Sequence, residues 1–353
     1  MNSTQENSDF DPNGVGKKGA LFGLPYVAEE ADLVIIPVPW EVTVSYGAGT
    51  VDGPSSILEA STQIDLQLHG IEEPWNHKIA MLPVQENLIH ESEKYRSFAY
   101  SYIQSLEEGS TDDPLKVIPK AINEVCEKLN IWVENQSANY LSEGKTVAVL
   151  GGDHSTPLGL LRALGKTHNE FGVLQIDAHA DLRRAYEEFA FSHASIMFNT
   201  LAIPSLKKLV QVGIRDYCEE ELKRIKKYPE RITTFFDEDL KSRQFKGETW
   251  DQQCNQIVNS LPKNVYISLD IDGLDPSLCP NTGTPVPGGL SFEQCTHLIK
   301  KVVESGRKII GFDLSEVSPG ENNWDANVGA RLLYYLSCWT GVSGGKLEVR
   351  VER

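Results

Sequence analysis

Eight short runs rich in valine, isoleucine and leucine recur along this chain, and that recurrence constrains its fold more than any other feature. They fall at 33–38 (LVIIPV), 78–84 (KIAMLPV), 146–150 (TVAVL), 172–177 (GVLQID), 209–214 (LVQVGI), 232–237 (ITTFFD), 265–272 (VYISLDID) and 308–314 (KIIGFDL). Most are apolar continuously rather than at alternate positions, as expected of strands covered on both faces, which is the mark of a parallel sheet. The stretches between them read as amphipathic helices. In 115–139, Ile122, Val125, Leu129, Trp132 and Val133 keep a 3.6-residue spacing. Ser155 and Thr156 offer caps for a helix opening at Pro157 in PLGLLRAL. Strand–helix alternation predicts an α/β fold, a three-layer α/β/α sandwich around an eight-stranded, mostly parallel sheet. The segment 86–114 is acidic and lacks a clear period, so an irregular connection is expected there. The polar residues 1–30 read as a flexible leader, and with no dividing linker, 31–353 read as one catalytic domain.

In open parallel sheets, ligands bind beyond the carboxyl ends of the strands. The titratable residues of this chain gather at such ends: GGDHS (151–155), DAHAD (177–181), SLDID (268–272) and SEVSP (315–319). In extended backbone, residues two apart face the same way, so Asp177, His179 and Asp181 can converge, as can Asp270 and Asp272. Four carboxylates brought together repel one another, and divalent cations remove that cost. Two cations would balance four aspartates. A donor set with two imidazoles and no thiolate favours Mn²⁺ over Zn²⁺, with Ni²⁺ and Co²⁺ also compatible. A lone D-x-H or D-x-D more often caps a turn. The joint occurrence of three such motifs at strand ends points to a metal centre. The other histidines, His69, His77, His90, His168 and His297, lie outside these motifs and read as surface or packing residues.

Charge and cysteine usage exclude several classes. A net charge of −17 argues against nucleic-acid or anionic-membrane partners. The six cysteines form no C-x-x-C pair, and no apolar stretch approaches the ~20 residues that a spanning helix needs. A cytoplasmic protein with reduced thiols is the expectation.

Taken together, GGDHS, DAHAD, SHASIMF, SLDIDGLDP, GTPVPGG and EVSP resemble, in order and spacing, the motif series of the ureohydrolase family. That family comprises arginases, agmatinases, guanidinobutyrases and formimidoylglutamases. The resemblance runs from about Leu33 to Leu336 and implies one α/β/α domain. It assigns His154, Asp177, Asp181 and Asp270 to one Mn²⁺, and His179, Asp177, Asp270 and Asp272 to a second. Two such ions about 3.5 Å apart would share a hydroxide that attacks a guanidinium carbon, releasing urea and an amine. Asp181 would orient that hydroxide, Glu316 would pair with the guanidinium, and His193 would shuttle protons towards the leaving amine.

The wording after DAHAD resembles agmatinases most, which makes agmatine the expected substrate. Formimidoylglutamase, guanidinobutyrase, arginase and guanidine hydrolase activities are the alternatives, and a catalytically silent metal-binding scaffold is the non-enzymatic one. Arg183 stands where arginases typically place an asparagine; it could attract a substrate carboxylate or pair with Glu187 or Glu188. Trp324 follows SEVSPGENN and is a candidate for the substrate pocket or its rim, while Trp40 and Thr43 could narrow that pocket towards a small substrate. The resemblance also implies a homo-oligomer, trimeric or hexameric.

Overall fold

All eight expected strands form and pair in one sheet. The computed structural model describes residues 10–109 and 117–350. The strands are β1 (Leu33–Val38), β2 (Ile79–Met81), β3 (Thr146–Gly151), β4 (Phe171–Ile176), β5 (Leu206–Ile214), β6 (Ile232–Phe236), β7 (Asn264–Asp270) and β8 (Lys308–Ser315). Their spatial order is β2-β1-β3-β8-β7-β4-β5-β6, and every pairing is parallel. The continuous apolar runs are explained by burial on both faces. Every residue of β1 and of β4 is buried.

Ten α-helices cover the two faces among the described residues: α1 (Gly53–Ser61), α2 (Glu86–Glu107), α3 (Ile118–Ser142), α4 (Leu158–Thr167), α5 (Ile196–Thr200), α6 (Glu219–Lys227), α7 (Asp237–Phe245), α8 (Trp250–Asn259), α9 (Phe292–Glu304) and α10 (Trp324–Ser343). Successive strand residues feed opposite cores. Ala148 and Leu150 of β3 join the core beneath α1, α8, α9 and α10, while Val147 and Val149 join that beneath α2, α3 and α4. That is the three-layer arrangement the alternation predicts.

One expectation fails. Most of 86–114 is not an irregular connection but the 22-residue helix α2; residues 110–114 lie outside the described residues. Its buried stripe includes Ser92, Ala99 and Ser105 beside Leu88, Tyr102 and Ile103. Small and hydroxylated residues occupy seam positions there, so the stripe carries no apolar period that a sequence reading could detect. Part of the N-terminal stretch packs on the domain. Leu21, Phe22 and Leu24 are buried, the Phe22 amide donates to Ser61 Oγ (2.9 Å), and the Phe22 ring meets Tyr334 edge-on at 4.9 Å. Residues 1–9 lie outside the described residues.

No helix of the described residues is long and apolar enough to cross a membrane.

One packing histidine has a measurable consequence. His77 is buried against Gly341 of α10, and burial pushes its imidazole down to about 4. The folded state then binds fewer protons than the unfolded chain, so this contribution is present above pH 6.5 and is lost as pH falls from there towards 4. Between pH 7 and pH 5 it amounts to about 2 kcal/mol. In metal-free protein, His77→Gln is expected to reduce the acid loss of unfolding free energy by that amount, read from urea titrations at the two pH values.

Candidate metal centre

The four motif-bearing strand ends are neighbours, because β3, β8, β7 and β4 lie side by side in the sheet. β3 delivers His154 through the Gly151–Gly152 turn. There the Gly152 amide donates to Val38 O (2.8 Å) and the Asp153 amide to Trp40 O (2.7 Å). A side chain at Gly152 would collide with the Trp40 backbone, so only glycine lets the turn approach this closely.

His154 Nδ1 lies 3.1 Å from Asp177 Oδ2, 3.0 Å from Asp181 Oδ2 and 3.2 Å from Asp270 Oδ2. His179 Nδ1 lies 3.0 Å from Asp272 Oδ2 and 3.6 Å from Asp177 Oδ1. These form two groups of metal-ligand type, His154–Asp177–Asp270 and Asp177–His179–Asp272, which share Asp177. All six residues named from the sequence are therefore brought together.

The strand pleat alone does not achieve this. β4 ends at Ile176, and Asp181 reaches the cluster through a left-handed turn (φ 54°) whose carbonyl accepts from the Met197 and Phe198 amides at α5. Asp270 closes β7, and Asp272 follows in a 3₁₀ turn (Ile271–Gly273) in which the Asp272 amide donates to Asp270 Oδ1 (2.9 Å). Turn geometry thus replaces simple alternation, because beyond the last ladder bond the backbone no longer has to stay extended.

The donor chemistry fits a cation. His154 Nε2 sits 2.8 Å from Ser268 Oγ, with Asp313 Oδ1 at 3.7 Å. With its proton on Nε2, the ring turns the Nδ1 lone pair into the carboxylate cluster. Nδ1 is buried with three carboxylate oxygens at 3.0–3.2 Å, so one imidazole nitrogen and three aspartates crowd one small volume. Protonation carries the same strain. Burial, then Asp272 and Asp177, raise Asp270 well above the usual carboxylate range. Burial and Asp177 push Asp181 up to about 7. Burial also works to raise Asp177, but contacts with His154 and His179 outweigh it and hold Asp177 low. Without an added cation, the cluster is balanced only by protons.

Beside the cluster lies a cavity of about 150 Å³, lined by the expected His179, Asp181, Arg183 and His193. Ser45, Tyr186, Ala194, Asp216, Tyr217, Glu221 and Thr284 complete the lining; Ala194 and Thr284 fall in the SHASIMF and GTPVPGG motifs, and none of the seven was named as a site residue from the sequence. Burial, reinforced by His179 and His154, pushes His193 down to about 3, so its imidazole is neutral at pH 7. Arg183 pairs with neither Glu187 nor Glu188. Its guanidinium lies 4.9 Å above the Tyr186 ring and its Nε is 4.0 Å from Glu221 Oε2. Glu221 is in turn held by the Leu182 (2.9 Å) and Cys218 (2.8 Å) amides.

Glu316 is buried in a left-handed conformation (φ 63°), accepts the His154 amide on Oε1 (2.8 Å) and abuts Gly283, next to the lining residue Thr284. Burial, then Asp153, raises its carboxyl well above the usual range. Two tryptophans are not brought to this cavity. Trp324 is 43% exposed, with Nε1 donating to Ser277 O (2.9 Å), in a separate groove with Ser55, Glu59 and Asn327. Trp40 is buried beneath the Gly152 turn. The helix missed in the sequence braces the cavity's rim. Arg96 of α2 donates to the carbonyls of Val44 (2.5 Å) and Glu41 (3.3 Å), in the loop carrying Thr43 and Ser45.

Comparison with known proteins agrees with this geometry. A family model described as the arginase family matches residues 31–338. The N(1)-aminopropylagmatine ureohydrolase of Thermus thermophilus is 31% identical over 330 residues, covering 93% of this chain and 96% of that protein. The guanidinobutyrase of Pseudomonas aeruginosa is 27% identical over 341 residues, covering 92% of each. Among solved structures, the agmatine ureohydrolase of Thermoplasma volcanium superposes with a TM-score of 0.69 at 24% identity, covering 96% of this chain and 98% of that one.

Proposed function

Because this chain belongs to the arginase family of hydrolases, we propose that it is a dinuclear-manganese enzyme that cleaves agmatine, or an agmatine extended at its amine end, to urea and an amine. The observation that carries this reading is the pair of histidine–carboxylate groups sharing Asp177. A mostly oxygen donor set without thiolate suits Mn²⁺, and Ni²⁺ and Co²⁺ are the alternatives. Such cations supply an acidified water as nucleophile at neutral pH and offset the charge of the four aspartates.

The remaining chemistry belongs to side chains. Glu316 presents a carboxylate to the flat guanidinium, a pairing with two parallel hydrogen bonds. Asp181 holds the nucleophile's proton. His193, neutral at pH 7, accepts a proton and delivers it to the departing amine. A cationic tail is favoured by the acidic lining. Outside the metal cluster, Asp216 and Glu221 face one guanidinium, and Arg183 is already engaged by Glu221 and Tyr186. A carboxylate tail would have to displace those contacts.

The reading includes reduced thiols in the cytoplasm, in keeping with six free cysteines, and a trimer or hexamer, which light scattering on purified protein would test.

Urea release from agmatine, N(1)-aminopropylagmatine, guanidinobutyrate, arginine, guanidine and formimidoylglutamate, each after Mn²⁺, Ni²⁺ or Co²⁺ loading, tests the proposal. Turnover is expected on the two amine-tailed compounds. Preference for guanidinobutyrate would overturn the tail assignment, and no urea or ammonia from any compound would leave a metal-binding scaffold. His193→Ala is expected to lower kcat by about 10²–10³-fold with metal content unchanged. Loss of metal in that variant would show that His193 supports the centre instead.

A further inference from the structure

Strand β4 carries a glutamine in its buried run, and a second lies next to it in β5. Gln175 and Gln211 are both fully buried. Gln175 Nε2 donates to Asp177 Oδ2 (2.8 Å) and to the His179 carbonyl (3.1 Å). Gln211 Nε2 donates to Gln175 Oε1 (2.7 Å) and to the Ala180 carbonyl (2.8 Å). At the far end, Thr234 Oγ1 on β6 donates to Gln211 Oε1 (2.8 Å).

The direction of this chain follows from the acceptors. The outer groups met by Gln175 are a carboxylate and a carbonyl, so its amide nitrogen has to face them and its oxygen has to face Gln211. Gln211 must then present nitrogen to Gln175 and to the Ala180 carbonyl, which leaves its oxygen for the threonine hydroxyl. Three side chains on three adjacent strands thus align every donor towards Asp177.

We propose that Gln175 is a positioning residue for the shared carboxylate Asp177, with Gln211 and Thr234 enforcing the orientation of its amide. This rests on the metal-centre reading above. Asp177 has to face two ways. Oδ2 stands beside His154 Nδ1 (3.1 Å), while Oδ1 accepts the His179 amide (2.6 Å) and faces His179 Nδ1 (3.6 Å). The Gln175 amide on Oδ2 and the His179 amide on Oδ1 fix the carboxylate's rotation, so one oxygen serves each group. The two glutamines also tie down the carbonyls of residues 179 and 180, in the turn that carries His179 and Asp181.

The test is calorimetric titration of chelator-stripped full-length protein with MnCl₂, with NiCl₂ in parallel, alongside melting of the metal-free protein. Gln175→Met keeps the bulk and removes the donor, and is expected to weaken cation binding about 10–100-fold. Thr234→Val, remote from the centre, is expected to weaken it roughly 3–10-fold, and Thr234→Ser to stay within about twofold of the parent. A space-filling role would lower metal-free melting and leave the dissociation constants alone. Constants within about twofold of the parent in both Gln175→Met and Thr234→Val would overturn the inference. If Gln175→Met does not fold, the Thr234 pair decides. A parent that binds no divalent cation overturns the metal centre and this inference together; a parent that binds while both variants bind as tightly overturns only the inference.

Discussion

Replacing Asp177 by alanine is expected to strip the centre of its cations and to lower urea release by at least about 10⁴-fold, or ~5.5 kcal/mol in the barrier. Among the described residues, Asp177 is common to the two histidine–carboxylate groups, whereas Asp270, expected at both, stands in the His154 group alone, so the loss of Asp177 opens both at once. The nucleophile then reverts towards ordinary water, far too weak an acid to ionise at neutral pH. Metal analysis of dialysed protein and the urea assay check this directly. A thermal readout separates the effect from misfolding. A ligand at about 1,000 times its dissociation constant stabilises the folded state by about 4 kcal/mol, so Mn²⁺ should raise the melting temperature of the parent and not that of Asp177→Ala. Retention of both metals with full turnover would refute the assignment of the two groups.

Glu316→Gln is expected to act on substrate instead of metal. The glutamine keeps an oxygen for the His154 amide and the same volume in a buried site, so the Gly152–His154 turn should hold. What disappears is the charge opposite the guanidinium. Removing one partner of a desolvated charge pair costs about 3–5 kcal/mol, equivalent to about 10²–10⁴-fold in kcat/KM. Metal stoichiometry should remain that of the parent. Loss of metal from Glu316→Gln would make the residue a support for His154, and unchanged kcat/KM would remove it from substrate binding altogether.

Much of the site was legible in the sequence because metal chemistry demands particular residue types at particular places. D-x-H-x-D and D-x-D each end a buried apolar run, and both the run and its abrupt polar end are local features. The geometry that completes them was less legible. Asp181 enters from a left-handed turn, and nothing in the letters DAHAD distinguishes that turn from continued strand. Ser268 and Gln175 were accessible in principle: each is a polar residue inside an apolar strand, two positions before a ligand and on the same face. Asp216, Tyr217 and Glu221 follow β5, whose end carries no recognisable cluster, and only the cavity identifies them. Arg183 shows the limit of local reasoning. Glu187 and Glu188 are the first acidic residues after it along the chain, yet it lies beside Glu221, which the fold brings from α6.

By itself, the sequence determined the parallel sheet, the helices with an apolar stripe and which histidines and aspartates stand at the strand ends, since burial on two faces, helical periodicity and an abrupt polar end to an apolar run are written in short windows. The tertiary structure alone decided which strands stand side by side. β8 enters the sheet between β3 and β7, which sets Glu316 against the amide of His154, 162 residues away along the chain. It likewise revealed α2 with its stripe of serine and alanine, and the Thr234–Gln211–Gln175 chain that reaches Asp177 across three strands. Contacts between residues so far apart along the chain depend on strand order and packing, and these leave no periodic trace in the residues themselves.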